Sequence, residues 1–310
     1  MSSQEQATDF PARVVESFGR RVVVEASDGT RMHAELFGKR LSVVCGDAVS
    51  VRPSRAGDAP RVVALRSRRS LFARTDSRGR TEPLAANLTL LCAVIAPEPT
   101  PEPFVIDRYL AGAAYAGVRG AIVVNKCDLP EARAADFAQM LTEYRAAGYP
   151  VLEVSAREPA SVTPLAALVE SEVTMLVGQS GVGKSTLTNA LVPASARPTR
   201  SLSDATGEGR HTTTSTALFR IPTGGELIDS PGVRDYAPAL IEDATVQVGW
   251  PELLALAPEC RFNNCLHLRE PGCAVIAAVD NGTLSARRYE SYKRLMNIMR
   301  GLAPDYERRR

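Results

Sequence analysis

The sequence predicts a multidomain chain with three parts: an N-terminal β-barrel (OB-fold), a central α/β domain, and a C-terminal, mostly helical domain. Three observations predict it. Short Val-rich runs separated by turn signals occupy residues 13–66. From Leu88 onward, apolar runs alternate with helical spacings, as in a parallel sheet covered by helices on both faces. From about Val246 the chain turns helical and gathers three cysteines and a histidine into a short stretch.

Each part can be read in order. Residues 1–10 look disordered. Within 11–66, five strands are expected over Arg13–Ser17, Arg20–Ala26, Arg31–Leu36, Ala48–Arg52 and Arg61–Leu65, with Asp28-Gly29 as a hairpin signal. Five short strands suit an OB-fold, and an SH3-like barrel would give a similar pattern. Residues 67–86 are polar and Arg-rich and read as a linker. The central domain, 87–245, opens on Leu88–Ala96, an apolar run suited to a strand buried on both faces. A helix over Phe104–Ala116, a strand over Gly120–Asn125, a helix over Glu131–Ala147 and a strand over Pro150–Val154 follow. Then come a strand over Val173–Val177, a Gly-rich loop and a helix over Lys184–Leu191. Ala217–Ile221 and Glu226–Ile228 read as strands joined by a turn at Thr223-Gly224-Gly225. Residues 246–310 form the helical domain.

The chain has 310 residues, with 37 Lys and Arg against 35 Asp and Glu, a net charge of +2. It contains no apolar stretch of the ~20 residues a membrane helix needs. Its N-terminus carries Glu5 and Asp9 and no apolar segment of the secretory type. A soluble, cytoplasmic protein with reduced cysteines is therefore expected. Charge is uneven: residues 11–80 hold 15 Lys and Arg against 7 Asp and Glu, a local +8. A small barrel with that excess is a plausible binder of RNA backbone, although a basic surface can also serve solubility alone. The aromatics in residues 11–80 are only Phe18, Phe37 and Phe72, so shape and phosphate recognition are expected rather than stacked bases.

Gly178-Gln179-Ser180-Gly181-Val182-Gly183-Lys184-Ser185 matches the phosphate-loop pattern GxxxxGK[ST], between a strand and a helix as it must be. The glycines let backbone N–H groups turn toward phosphates, and the helix N-terminus, continuing through Thr186, adds its positive end. Lys184 would reach the β- and γ-phosphates and Ser185 would ligate Mg²⁺. Asn125-Lys126-Cys127-Asp128, at the end of a strand, selects the base. A carboxylate at Asp128 can accept both guanine N1–H and the exocyclic amine, a donor pair that adenine lacks. Ser155-Ala156-Arg157 ends the next strand and fits a second base-contacting loop. Asp229-Ser230-Pro231-Gly232 is a DxxG pattern, in which Asp229 would hold Mg²⁺ through water and the Gly232 N–H would sense the γ-phosphate. Gly209-Arg210-His211-Thr212-Thr213-Thr214 lies where a first switch belongs, and Thr213 is favoured to complete the Mg²⁺ shell. The base motifs precede the phosphate loop, whereas in Ras-like proteins they follow it. The set is complete but rotated, so the central domain reads as a circularly permuted P-loop GTPase.

Near the C-terminus, Cys260, Cys265, His267 and Cys273 offer three thiolates and an imidazole within 14 residues. Four such ligands in a reducing compartment suit one tetrahedral, structural Zn²⁺. Buried free cysteines beside a surface histidine are the plainer alternative. Cys45, Cys92 and Cys127 stand alone and read as core or loop filler.

A basic barrel, then NKCD, SA, GQSGVGKS, GRHTTT, DSPG and CRFNNCLHLREPGCAV, in that order, resembles the bacterial small-subunit-dependent GTPase family (RsgA, also called YjeQ). The resemblance runs from about residue 11 to about 300. It implies an OB-fold, a permuted G domain and a zinc domain. It also implies a role in late maturation of the small ribosomal subunit, with hydrolysis stimulated by that subunit and its rRNA as a partner. The family's zinc ligands fall on Cys260, Cys265, His267 and Cys273, and its DTPG motif appears here as DSPG.

Ras-like enzymes orient the attacking water with a Gln just after DxxG. Here that position is Val233, and the next Gln is Gln247. His211 is the nearest polar candidate, and the resemblance also points to it as the catalytic residue; the alternative is a purely structural place in the switch. Slow turnover by the free chain, GTP and GDP as partners, a monomeric state and no membrane association complete the expectation. Two rival functions stay open: an RNA-binding GTP sensor with little turnover, and a permuted GTPase of another assembly process.

Overall fold

The computed structural model describes residues 8–54, 58–76, 78–193, 216–229 and 236–302. The first five strands are β1 (Phe10–Phe18), β2 (Arg21–Ala26), β3 (Arg31–Leu36), β4 (Ala48–Arg52) and β5 (Arg61–Leu65). They run in the order β1-β2-β3-β5-β4, and β4 returns to β1, closing a barrel in which β3 and β5 are parallel. That closure is the Greek-key path of an OB-fold. The period-2 pattern explains it: Ala12 and Val14, Val22 and Val24, Ala34 and Leu36, and Val49 and Val51 all point into one core.

The segment read as a linker contains structure. β6 (Leu71–Thr75) and β7 (Thr81–Ala86) form an antiparallel hairpin. Its turn is built by Asp76, whose carboxylate accepts from the N–H groups of Arg78 and Arg80 and pairs with the Arg80 guanidinium. Buried Phe72 stacks on Tyr236 at 5.1 Å. Thr75 bonds the Ala237 and Pro238 carbonyls, so the hairpin is seated against the chain that follows the DxxG segment. Arg-rich composition concealed it because the arginines lie on its rim, paired with Glu82 and Asp76.

The central domain contains β8 (Leu90–Ile95), α1 (Pro103–Tyr115), β9 (Arg119–Val124), α2 (Ala135–Ala146), β10 (Val151–Glu153), α3 (Thr163–Val169), β11 (Val173–Val177), α4 (Lys184–Leu191), β12 (Thr216–Arg220) and β13 (Glu226–Asp229). Strands β10, β9, β8, β11 and β13 are parallel neighbours in that order, and β12 joins antiparallel to β13. All six residues of β8 are buried, as its apolar run requires. Two differences from expectation concern helices. A 3-10 turn at Pro130–Arg133 precedes α2, which starts only at Ala135. Short α3, held by buried Leu165 and Val169, had no clear period to announce it.

The barrel and the central sheet are continuous. Beyond Val14–Glu16, where its register with β2 shifts, β1 pairs with β12 at Glu16↔Ala217 and Ser17↔Thr216. Ion pairs Arg13–Glu226 and Arg220–Glu25 brace the junction. The C-terminal unit comprises a 3-10 segment (Asp243–Gly249), α5 (Pro251–Leu256), α6 (Ala274–Asp280) and α7 (Ala286–Leu302) around Trp250, Tyr292, Leu295 and Met296. It docks on α1 through a buried ion network: Arg288 bonds Asp107 at 2.5 Å and Glu252 at 2.7 Å, and Arg288 and Asp107 are each 1% exposed. No helix among the described residues is long and apolar enough to cross a membrane.

Candidate nucleotide and metal sites

Parallel pairing brings the carboxyl ends of β9, β10, β11 and β13 to one end of the sheet, the usual place for a ligand in an α/β fold. Asn125–Asp128, Ser155–Arg157, Gly178–Ser185 and Asp229 all follow or end those strands. Asn125 joins three of these loops. It is 2% exposed; its Nδ2 donates to the Val182 carbonyl at 2.9 Å, and its Oδ1 accepts from the Ala156 N–H at 3.0 Å. One side chain thus fixes the Asn-Lys-Cys-Asp loop, the Ser155-Ala156 loop and the phosphate loop in register.

The glycines are dictated by this packing. Gly183 has φ +92°, and a Cβ there would fall 2.2 Å from Asn125 Nδ2. Gly178 has φ +143°, and a Cβ would fall 2.2 Å from the Val94 carbonyl oxygen. Lys184, in the first turn of α4, donates from Nζ to the Gly178 and Gln179 carbonyls at 2.8 and 2.7 Å, spanning the loop. Ser185 and Thr186 are exposed on that turn, with Gln179 half-buried and Ser180 and Gly181 exposed.

Lys126 has a left-handed backbone, φ +61°, unusual for a residue with a Cβ and typical of functional loops. Its Nζ donates to the Glu98 carbonyl at 2.8 Å. Asp128 is exposed, and a hydrogen bond from Ser155 holds its carboxyl below the usual carboxylate range. Ser155 is fully buried, and its loop is closed by Ser161, whose Oγ accepts from the Ser155 N–H at 2.8 Å. Nothing in the spacing marks Ser161 or Glu98; both act through loop geometry. A cavity of about 420 Å³ lined by Ala156, Thr186 and Asn189 opens between this loop and α4. His211, Thr213 and Gly232 lie outside the described residues.

The second constellation gathers as the spacing demands. The ligand atoms of Cys260, Cys265, His267 and Cys273 lie within 4.8 Å of one another, and all four residues are buried. His267 Nδ1 is 3.5 Å from Cys260 Sγ and 3.4 Å from Cys273 Sγ, and those two sulfurs are 3.9 Å apart. Such separations match the edges of a tetrahedron around a Zn²⁺ bound at ~2.0–2.3 Å. Burial pushes the Cys265 thiol up to about 12 and raises that of Cys273, while it lowers the His267 imidazole. A bound dication would hold the coordinating sulfurs as thiolates. The cluster fits zinc. Glu270 organises the loop: burial alone would raise its carboxyl, but N–H donors from Arg269, Leu268 and Leu266 hold it at about 2. Tyr289 and Tyr292 donate to the His267 and Leu266 carbonyls at 2.6 and 2.7 Å.

The RsgA GTPase family model matches residues 65–238. The small ribosomal subunit biogenesis GTPase RsgA of Azotobacter vinelandii is 43% identical, covering 91% of this chain and 84% of that protein. The same-named protein of Pseudomonas aeruginosa is 40% identical, with 93% and 85% covered. Among solved structures, YjeQ from Thermotoga maritima superposes with a TM-score of 0.70 at 25% identity, covering 94% of this chain and 99% of that one. YloQ, described as a circularly permuted GTPase, superposes with a TM-score of 0.71 at 21% identity over 99% and 100% of the two chains, a likeness of fold. Family model, long relatives and permuted fold converge: the chain belongs to the RsgA GTPase family.

Proposed function

We propose that this chain is a GTPase that docks on the small ribosomal subunit through its rRNA, acts late in that subunit's maturation, and hydrolyses GTP faster when docked. The observation that carries the nucleotide half is Asn125, which locks a guanine-type loop to a phosphate loop. The relatives' names, each a small ribosomal subunit biogenesis GTPase, support the other half. Asp128 reads the guanine edge, with Asn125, Lys126, Ser155 and Ala156 shaping its pocket. Gly178 to Thr186 wrap the phosphates. Lys184, already seated on the loop's carbonyls, meets the β- and γ-phosphates. Ser185, Thr213 and Asp229 would hold a Mg²⁺ that neutralises charge on the phosphates, and Gly232 would sense the γ-phosphate. His211 positions the attacking water. Cys260, Cys265, His267 and Cys273 hold one structural zinc. The protein works as a cytoplasmic monomer, and its basic barrel contacts RNA backbone.

GTP turnover measured with and without purified small subunits, paired with co-sedimentation in GDP or a non-hydrolysable GTP analogue, tests this reading. Stimulated turnover with analogue-dependent co-sedimentation is expected. Analogue-dependent binding with no stimulation would favour a GTP sensor, and no co-sedimentation in either state would remove the subunit as partner.

A further inference from the structure

We infer that Gln247 is a positioning residue of the metal centre: it fixes which ring nitrogen His267 presents to the metal, and it anchors that centre to the nucleotide domain. The inference rests on the zinc reading of the cluster.

His267 is fully buried, with Nδ1 facing the Cys260 and Cys273 sulfurs. Its other nitrogen, Nε2, lies 2.8 Å from Gln247 Oε1. The amide's orientation follows from its far side, where Gln247 Nε2 donates to the Ala244 carbonyl at 3.1 Å. The oxygen therefore faces the ring and accepts. The ring proton then belongs on Nε2, and the Nδ1 lone pair is directed at the sulfurs. A neutral imidazole offers one lone pair, so this single hydrogen bond decides whether His267 is a ligand.

Gln247 is held from outside the metal unit. It stands on the 3-10 segment Asp243–Gly249, which lies between the DxxG segment and α5. Tyr115 of α1 donates to the Val246 carbonyl at 2.8 Å, and Tyr149 donates to that of Gly249 at 3.3 Å. Gly249 packs so closely that a Cβ there would fall 2.5 Å from Ala111 Cβ. The ligand's tautomer is thus set by a side chain whose backbone is pinned to α1. The same contact commits Gln247 away from the phosphate end of the sheet.

The test uses full-length, zinc-loaded protein and three variants. Gln247→Leu removes the acceptor. Gln247→Asn keeps the amide but shortens its reach. Gln247→Glu keeps both reach and acceptor. In competition with a chelator, the Leu and Asn variants should hold zinc about 10–100-fold less tightly, the usual cost of losing such a partner. The Glu variant, which keeps the acceptor and gives up only the donor to the Ala244 carbonyl, should hold it more tightly than either. The ¹⁵N spectrum of labelled histidine, which reports only three imidazoles, should show His267 protonated at Nε2 in the parent and Glu proteins and not uniquely so in the others. Unchanged zinc affinity and tautomer in both Leu and Asn variants would overturn the inference. A Glu variant as weak as Leu would overturn it too, reducing Gln247 to packing. If the parent itself carries no zinc on metal analysis, the zinc reading fails and this one falls with it; zinc-loaded parent with indifferent variants sinks only the role of Gln247.

Discussion

At the residue scale, base choice in the proposed site rests on one exposed carboxylate. Asp128 announces itself, since a carboxylate after a strand can take two guanine hydrogens. Asp128→Asn should shift preference from GTP toward XTP, because one mispaired polar group in the base pocket costs ~1–3 kcal/mol. Unchanged GTP affinity in a competition assay would contradict it. Asn125 could be found by its motif, but its amide serves protein contacts to Val182 and Ala156, which no spacing reveals. That placement makes Gly183→Ala severe: the methyl would strike Asn125 Nδ2, and the variant should lose measurable nucleotide binding while the barrel stays folded. His211→Ala should lower subunit-stimulated single-turnover hydrolysis by about 10²-fold with GTP affinity little changed; an unchanged rate would take His211 out of the mechanism. Glu16, 5% exposed on β1, is a quieter case. Burial raises its carboxyl above the ordinary 4.5 against the weaker pull of Arg31 and His33. A raised acid binds its proton more tightly when folded, so the contribution of Glu16 to stability should fall as pH rises from about 4.5 through the folded value. Lowered carboxylates such as Glu270 act in the opposite sense, so denaturant titrations should show the parent losing stability relative to Glu16→Gln across that window.

Among elements, the sequence spoke clearly where burial is one-sided or complete. The barrel strands alternate, and β8 is apolar throughout, so period and composition agreed with the fold. The β6–β7 hairpin escaped because its buried side is carried by few residues, chiefly Phe72 and Ala85, amid arginines paired along its rim. Helix α3 escaped because seven residues span barely two turns. The docking of α7 on α1 was also silent, since Arg288 sits in a charged, tyrosine-containing stretch that reads as surface. In the fold it is nearly fully buried against Asp107, Glu252 and the Tyr144, Tyr149 and Trp250 rings. Arg288→Met strips Glu252 of its guanidinium and leaves Asp107 with Arg287 alone, and removing one member of a buried pair typically costs about 3–5 kcal/mol. Thermal unfolding followed by Trp250 fluorescence should show an early transition of the C-terminal unit. A melting profile identical to the parent would mean that the network contributes only orientation.

For the molecule as a whole, three parts were foreseen, but not that two of them share one sheet. The metal unit packs on α1 through side chains and shares no strand with the central sheet. Cys265→Ser, or exhaustive chelation, should release zinc and loosen the Cys260–Cys273 stretch, because a bound metal would supply folding energy where four ligands meet. GTP affinity should largely persist; metal analysis paired with nucleotide binding checks both halves. The barrel is different. Its β1 covers the outer side of β12, the strand that closes the nucleotide domain's sheet at Glu16↔Ala217 and Ser17↔Thr216. A chain begun after residue 66 would leave that side as an open row of backbone donors and acceptors. Unblunted rows of this kind recruit another copy of themselves. Such a truncation should keep every nucleotide motif and still self-associate, visible as a concentration-dependent rise in light-scattering mass. If it does, the barrel's own strand is what keeps that edge from meeting a second copy in the intact chain.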